Sequence, residues 1–235
     1  MKKLLIASTS TVHGRGYLEY ILPQLSDFFK GINEILFIPY ARPSGLTHDE
    51  YTSRAQQGFE KINIKIKGIH EYKNPIDAVN NAKAIFVGGG NTFLLVQQLY
   101  QHKLISTIKN VVENGIPYFG TSAGSVITGV TMQNTNDMPI IYPPSFDTLG
   151  FLNFNLNCHY LDPDTNSTHM GETRETRINE YHTVNKTPVL GLREGSWLKV
   201  EGKKVVLKGT LNARLFQQNK PAVEFPSETD FSFLM

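Results

Sequence analysis

The sequence has one cysteine, one tryptophan and no long apolar run among its 235 residues. Cys158 has no partner within the chain, which excludes an internal disulfide and makes a reducing cytoplasm the expected location. No stretch approaches the about 18 apolar residues of a membrane-spanning helix, so no membrane association is expected. The formal net charge is only +2, with scattered Lys and Arg, which argues against a nucleic acid as partner.

The chain is long enough, and at 40% hydrophobic residues apolar enough, to bury a sizeable core. It contains no internal repeat, low-complexity segment or linker, so we expect one domain over residues 1–235. The apolar stretch in Met1–Ala7 is too short for a signal peptide and predicts a first strand. We expect a monomer or a homodimer.

Apolar runs and helical repeats alternate along much of the chain, which predicts an α/β fold. The expected architecture is a three-layer sandwich with a mostly parallel sheet and C-terminal antiparallel strands in residues 197–225. Buried strands are predicted at residues 4–7, 34–40, 63–69, 84–87, 116–119, 151–157 and 188–192. Helices are predicted at residues 18–29, 49–62, 75–82, 93–100, 104–112 and 172–183.

The stretch Gly120-Thr121-Ser122-Ala123-Gly124 stands between a predicted strand and a predicted helix. Strand, Gly-x-Ser-x-Gly and helix together are the context of a nucleophile elbow, in which a sharp turn exposes the serine. Flanking glycines are needed there because a Cβ would clash with nearby backbone. The alternative is an ordinary turn of small residues, since the pattern also occurs by chance.

A serine nucleophile needs a base, and the chain offers seven histidines. His159 is the best candidate because it directly follows a predicted strand downstream of Ser122, and His169 is the second candidate. The base in turn needs an acid. Glu194 is preferred because it ends a strand that we expect in the same sheet as the elbow, and Asp137, in the loop after the elbow, is close behind.

Gly88-Gly89-Gly90 ends another predicted strand and has two interpretations. A phosphate cradle is poorly supported because the chain lacks the GxxxxGK[ST] and GxGxxG patterns. The alternative is an oxyanion hole, formed by the N–H of Gly90 and that of Ala123 after the serine. This second interpretation fits an acyl-transfer serine.

Two other chemistries are weaker. His159, Asp162, Asp164 and His169 crowd into one polar loop, but their spacing matches no zinc pattern, so neither a metal nor another cofactor is expected. Cys158 is a conceivable thiol nucleophile, although a lone cysteine is usually an inert buried residue.

The sequence resembles peptidase E, the α-aspartyl dipeptidase family of serine peptidases. The similarity spans nearly the whole chain, and the motifs keep their order. The matching segments are Phe86–Phe93 (FVGGGNTF), Gly120–Gly124 (GTSAG), Thr135–Pro139 (TNDMP), Cys158-His159, Gly171–Glu175 (GETRE) and Gly191–Gly195 (GLREG).

The resemblance implies a fold like that of the class I glutamine amidotransferases and metal-free hydrolysis of a small peptide substrate, a dipeptide with an N-terminal aspartate. It implies Ser122 as nucleophile, His159 as base and either Asp137 or Glu194 as acid. Arg174 matches the arginine expected to hold the aspartyl carboxylate, a role for which a guanidinium fork is suited. Asn91 and Arg177 are further candidates for substrate contact; without the resemblance, pairing of Arg174 with Glu172 or Glu175 would be the simpler interpretation.

Two alternatives remain open at this point. A cyanophycinase-like hydrolase would share the elbow but act on a β-aspartyl-arginine polymer. A non-catalytic binding protein would retain the fold alone, since fold does not establish function.

Overall fold

The computed structural model describes residues 1–164, 166, 168 and 170–235. Within them the strands are β1 (Lys3–Ala7), β2 (Glu34–Ile38), β3 (Lys65–Gly68), β4 (Ile85–Val87), β5 (Tyr118–Thr121), β6 (Asn155–Cys158), β7 (Val189–Leu192), β8 (Trp197–Glu201), β9 (Lys204–Lys208), β10 (Ala213–Phe216) and β11 (Val223–Phe225). The helices are α1 (Leu22–Phe28), α2 (His48–Glu60), α3 (Pro75–Asn80), α4 (Thr92–Gln101), α5 (Leu104–Glu113), α6 (Ala123–Val126) and α7 (Arg174–Tyr181). Short 3-10 helices occupy Glu19–Ile21, Ile69–Glu71 and Ser232–Leu234.

The larger of two sheets has seven strands in the order β3-β2-β4-β5-β1-β8-β9. The first five of these run parallel, and β8 and β9 add an antiparallel edge beyond β1. Parallel strands need crossover connections, which the intervening helices provide. The mostly parallel sheet predicted from the alternating pattern is therefore confirmed.

Helices cover both faces of this sheet. On one face, buried side chains such as Phe37 and Phe119 pack with Tyr51 and Phe59 of α2. On the other face, side chains of the opposite pleat pack with the apolar sides of α3, α4 and α5. The three-layer α/β sandwich is thus confirmed, and it follows from strands that are apolar on both faces.

The smaller sheet has the order β11-β10-β7-β6, with β6 and β7 parallel to each other. We expected β7, which leads to Glu194, to lie in the same sheet as the elbow; that expectation is wrong. The position beside β1 is taken by β8, which pairs with it antiparallel from Lys3↔Glu201 to Ala7↔Trp197. One core cluster contains residues of both sheets, including Leu4 and Leu190, which supports the prediction of a single domain.

The strand predicted at residues 151–157 is shorter in the structure and begins at Asn155. Phe151 and Leu152 are buried, but the backbone at these residues is irregular. The Leu152 N–H donates to the carbonyl of Thr128, which follows α6. The apolar alternation here reflects burial under a loop rather than sheet pairing. No helix within the described residues combines the length and the apolarity needed to cross a bilayer.

Candidate active site

Ser122 stands at the sharp turn between β5 and α6, with backbone angles φ 52° and ψ −114°. Other backbone atoms lie so close to this turn that no side chain fits at Gly120 or at Gly124. A Cβ at Gly120 would lie 2.4 Å from the Gly124 carbonyl oxygen, and one at Gly124 would lie 2.2 Å from that of Val87. The glycines therefore allow the tight turn that exposes the serine side chain.

His159 lies between Ser122 and Glu194. Its Nε2 is 2.9 Å from Ser122 Oγ, and its Nδ1 is 2.6 Å from Glu194 Oε1. An ionised carboxylate only accepts hydrogen bonds, so Nδ1–H is the donor to Glu194 and Nε2 is left to accept from the serine hydroxyl. This is the tautomer that a general base for the serine requires.

Ser8, which the sequence analysis did not single out, holds the backbone of His159. The buried Ser8 hydroxyl accepts from the His159 N–H at 2.9 Å and donates to the Leu192 carbonyl at 2.7 Å. It thereby joins the end of β1 in the larger sheet to the ends of β6 and β7 in the smaller one. The available signal was its place as the first polar residue after an apolar strand.

Asp137, the second candidate for the acid, makes its hydrogen bonds with residues other than the histidine. Its Oδ2 accepts from the Thr92 N–H at 2.7 Å, in the first turn of α4, and from the Thr135 hydroxyl at 3.2 Å. A carboxylate at a helix N-terminus satisfies a free N–H and complements the helix dipole. Among the described residues no hydrogen bond joins Asp137 to His159, although Asp137 lines the same small cavity as Ser122 and His159.

Gly90 and Ala123 present backbone amides beside the serine. Gly90 has φ 144°, and a Cβ there would lie 2.1 Å from the Ala41 carbonyl oxygen, so the turn requires glycine. A Cβ at the neighbouring Gly89 would lie 2.9 Å from Ser122 Cβ, which places this turn against the nucleophile. Among the described residues, neither the Gly90 nor the Ala123 N–H has a hydrogen-bond acceptor. Both amides remain available to an anion.

Asn91, a candidate for substrate contact, has a local structural role in the structure. It caps α4 by accepting from the Leu94 N–H at 3.0 Å, and its amide nitrogen donates to the Met138 carbonyl at 2.8 Å. Both ends of the side-chain amide are therefore engaged. The substrate contact of Asn91 stays a prediction.

Arg174 is the first residue of α7 and lines a cavity of about 380 Å³ together with Arg177. The pairing considered from sequence does not form, because Glu175 binds Arg214 at 3.0 Å and Glu172 lies 4.0 Å from Arg177. Arg174 forms no ion pair with a carboxylate of the described residues. Partial burial and the charge of Arg177 lower the pKa of Arg174, while Asp137 opposes this shift.

The side chains considered for other chemistries are engaged or inert. Cys158 is buried, and burial, assisted by Asp137, raises the pKa of its thiol, which disfavours a thiolate nucleophile. Asp162 binds Arg193 at 2.7 Å, and the Asp164 carboxylate accepts from the Asn166 N–H at 2.9 Å. His169, the second candidate for the base, lies outside the described residues.

A serine on a nucleophile elbow, hydrogen-bonded to a histidine that a carboxylate orients, is the arrangement of a serine hydrolase site. The model of peptidase family S51 matches residues 4–208, and the chain belongs to this family. The resemblance stated from the motifs is thereby confirmed.

Named relatives cover almost the entire chain. Peptidase E of Streptomyces coelicolor is 46% identical over 99% of this chain and 94% of its own length. A probable alpha-aspartyl dipeptidase of Drosophila melanogaster is 43% identical over 100% and 98%, respectively. The fold is also that of a putative peptidase E from Listeria monocytogenes, with a TM-score of 0.69, 22% identity, and coverage of 89% of this chain and 98% of the other. A peptidase from an acI-B1 actinobacterium gives a TM-score of 0.72 at 15% identity, with coverage of 99% and 97%.

Proposed function

We propose that this protein is a serine-type aspartyl dipeptidase, which hydrolyses dipeptides with an N-terminal aspartate through an acyl-enzyme on Ser122. The observation that carries the proposal is the placement of His159, whose two ring nitrogens contact the serine hydroxyl and the Glu194 carboxylate. The relatives named peptidase E and probable alpha-aspartyl dipeptidase support the choice of substrate, because they align with the full length of the chain.

In the proposed mechanism, Ser122 Oγ attacks the carbonyl carbon of the Asp-X bond while His159 Nε2 takes the hydroxyl proton. Glu194 holds Nδ1–H and stabilises the imidazolium that forms. The tetrahedral oxyanion accepts hydrogen bonds from the N–H groups of Gly90 and Ala123. His159 then protonates the leaving amine, and water activated by the same imidazole hydrolyses the acyl-enzyme.

Arg174 is proposed to bind the side-chain carboxylate of the substrate's aspartate. An arginine without a carboxylate partner among the described residues, in a cavity that it shares with a second arginine, suits an incoming carboxylate. Arg177 would add positive potential, although its own contact with Glu172 weakens that contribution. Asn91 would act indirectly, by capping the helix that follows the oxyanion turn.

We further propose that the reaction takes place in the cytoplasm and requires no metal or other cofactor. The mechanism draws its nucleophile, base and oxyanion donors from the chain itself. One cysteine, buried and unpaired, is compatible with a reducing compartment.

The test is hydrolysis of Asp-Leu, compared with Asn-Leu, Glu-Leu and Leu-Leu, with and without EDTA. We expect cleavage of Asp-Leu alone, unaffected by EDTA and abolished in Ser122→Ala. Wild-type turnover in Ser122→Ala would refute the acyl-enzyme, and equal cleavage of Asn-Leu would refute the carboxylate pocket.

If no dipeptide were cleaved, a β-aspartyl-arginine polymer would be the next substrate to assay. Cleavage of the polymer alone would indicate the cyanophycinase-like alternative. An intact protein inactive on both substrates, with Ser122 unreactive toward a fluorophosphonate probe, would indicate a binding protein.

A further inference from the structure

Arg193, directly after β7, and Arg214 of β10 bind carboxylates that precede and follow Arg174 in the sequence. Arg193 donates to Asp162 from Nη2 at 2.7 Å and from Nε at 2.8 Å. Arg214 donates from Nη2 to the two carboxylate oxygens of Glu175, at 3.0 and 3.2 Å. Asp162 and Glu175 are thus each fixed to the sheet by a guanidinium.

The two arginines share one further carboxylate, Glu224. Its Oε1 accepts from Arg193 at 2.8 Å and from Arg214 at 3.2 Å, and its Oε2 accepts from Arg193 at 3.0 Å. The sheet register accounts for this, because Arg214 of β10 stands directly opposite Glu224 of β11. We call the five residues Asp162, Arg193, Glu224, Arg214 and Glu175 the arginine–carboxylate anchor.

The anchor differs from ordinary surface ion pairs, most of which contribute little because water screens them and both side chains lose rotamer freedom. The side chain of Arg193 is only 15% exposed, and it also donates to the Asn212 carbonyl at 2.8 Å. Hydrogen bonds from Arg193 lower the pKa of the Asp162 carboxyl. Fork-shaped contacts to two carboxylates restrain direction as well as distance.

The anchor lies next to both the proposed acid and the proposed substrate-binding arginine. Arg193 is the residue before Glu194, and Glu175 is the residue after Arg174. Asp162 lines the cavity of about 380 Å³ that Arg174 also lines. The network therefore connects the cavity of the proposed substrate arginine to the strand end that carries the proposed acid.

We propose that the arginine–carboxylate anchor positions the substrate pocket: it sets where the Arg174 guanidinium lies relative to Ser122. The inference rests on the proposed function, in which Arg174 binds the aspartyl carboxylate. In the proposed mechanism none of the anchor residues acts on the reacting atoms. Their loss should weaken substrate binding while the contact between His159 and Ser122 stays intact, which raises KM and spares kcat.

The experiment measures kcat and KM for Asp-Leu in Asp162→Asn, Glu175→Gln and Glu224→Gln. Each variant removes a charge but preserves side-chain volume. We expect KM to rise about tenfold and kcat to stay within about threefold, because the charge-assisted hydrogen bonds that fix Asp162, Glu175 and Glu224 around the cavity of Arg174 are weakened. The rate at which a fluorophosphonate probe labels the nucleophile should be unchanged.

The matched control is Glu201→Gln, which breaks the exposed pair between Lys199 and Glu201, 3.2 Å apart on β8. It should leave KM, kcat and labelling at wild-type values. Arg193→Lys, which keeps the charge but loses the fork, should give a KM between those of the wild type and Arg193→Gln.

Wild-type KM in all three carboxylate variants would overturn the anchor's positioning role while leaving the proposed function standing. Parallel losses of kcat and labelling rate would also overturn it, since they would show that the variants disturb the nucleophile rather than the substrate pocket. A wild-type protein that does not cleave Asp-Leu would refute the proposed function, and the inference would fail with it.

Discussion

Ser122 and His159 meet side chain to side chain at 2.9 Å while both backbones have positive φ, 52° and 54°. Non-glycine residues rarely adopt such angles. Each costs about 1–3 kcal/mol and persists only where the surrounding structure enforces it. The two partners of the proposed proton transfer therefore both occupy unfavourable backbone conformations.

Because of this strain, two inactive variants of Ser122 should differ in their free energy of unfolding. We expect Ser122→Gly to be more stable than Ser122→Ala by about 1 kcal/mol, because glycine accepts positive φ without a Cβ penalty. Urea denaturation gives the free energies of unfolding. The control is Ser26, exposed within α1, where alanine should be more stable than glycine by about 1 kcal/mol. An alanine preference at both positions would contradict strain at the elbow.

Substitutions of the two carboxylates near the site should lower kcat to different extents. Glu194→Gln is expected to lower kcat on Asp-Leu by about 10²- to 10⁴-fold, because the amide no longer stabilises the imidazolium or enforces its tautomer. Asp137→Asn retains an oxygen acceptor for the Thr92 N–H, so it should lower kcat by less than about tenfold. The reverse ranking would assign the acid role to Asp137.

Gly90→Ala should lower kcat by more than its loss of stability can explain. The added Cβ would meet the Ala41 carbonyl at 2.1 Å and displace the amide proposed to hold the oxyanion. We expect kcat to fall about 10²-fold or more, the usual effect of losing one such donor. Gly31→Ala is the matched control, with φ 84° but no atom within 4 Å of the new Cβ. Comparable kcat losses in both variants would argue against an oxyanion role.

The arginine–carboxylate anchor should stabilise the fold in a pH-dependent way. Burial opposes ionisation of Glu224, but hydrogen bonds from Arg193 and Arg214 prevail and lower its pKa below the ordinary 4.5. A carboxyl with a lowered pKa stabilises the folded state above its unfolded pKa and loses that contribution as pH falls through the folded value.

Thermal melts of wild type and Glu224→Gln test this at pH 7, 4 and 3. The wild type should be the more stable at pH 7, and the difference should shrink below pH 4.5 as Glu224 becomes protonated. A difference that grows on acidification would contradict the assignment.

Local patterns in the sequence predicted the elements that local chemistry determines. The elbow around Ser122 and the glycine turn at Gly90 follow from motifs of a few residues, whose clashes and angles depend on immediate neighbours. The alternation of apolar runs likewise predicted the three layers, because a strand that is buried on both faces is a nearly continuous apolar run in the sequence.

Contacts between residues far apart in the sequence determine the features that local patterns could not predict. Whether Glu194 or Asp137 reaches the histidine depends on which strands pair, and β7 proved to belong to the smaller sheet. The role of Ser8 depends on a contact 184 residues away, to Leu192, which no local pattern encodes. The N-capping role of Asn91 was not predicted, because an N-capping asparagine and a substrate-binding one occupy the same place in the motif.

The bond between Ser8 and Leu192 also has a consequence for how the protein is made. A ribosome releases the N-terminal end first, yet β1 finds its antiparallel neighbour only when residues 197–201 have emerged. Until then the nascent chain exposes an apolar strand edge of the kind to which chaperones and other chains bind. The contacts of His159 with Ser8 and Glu194, and that of Ser8 with Leu192, likewise join distant parts of the chain, so we expect the pair of Ser122 and His159 to form late in folding.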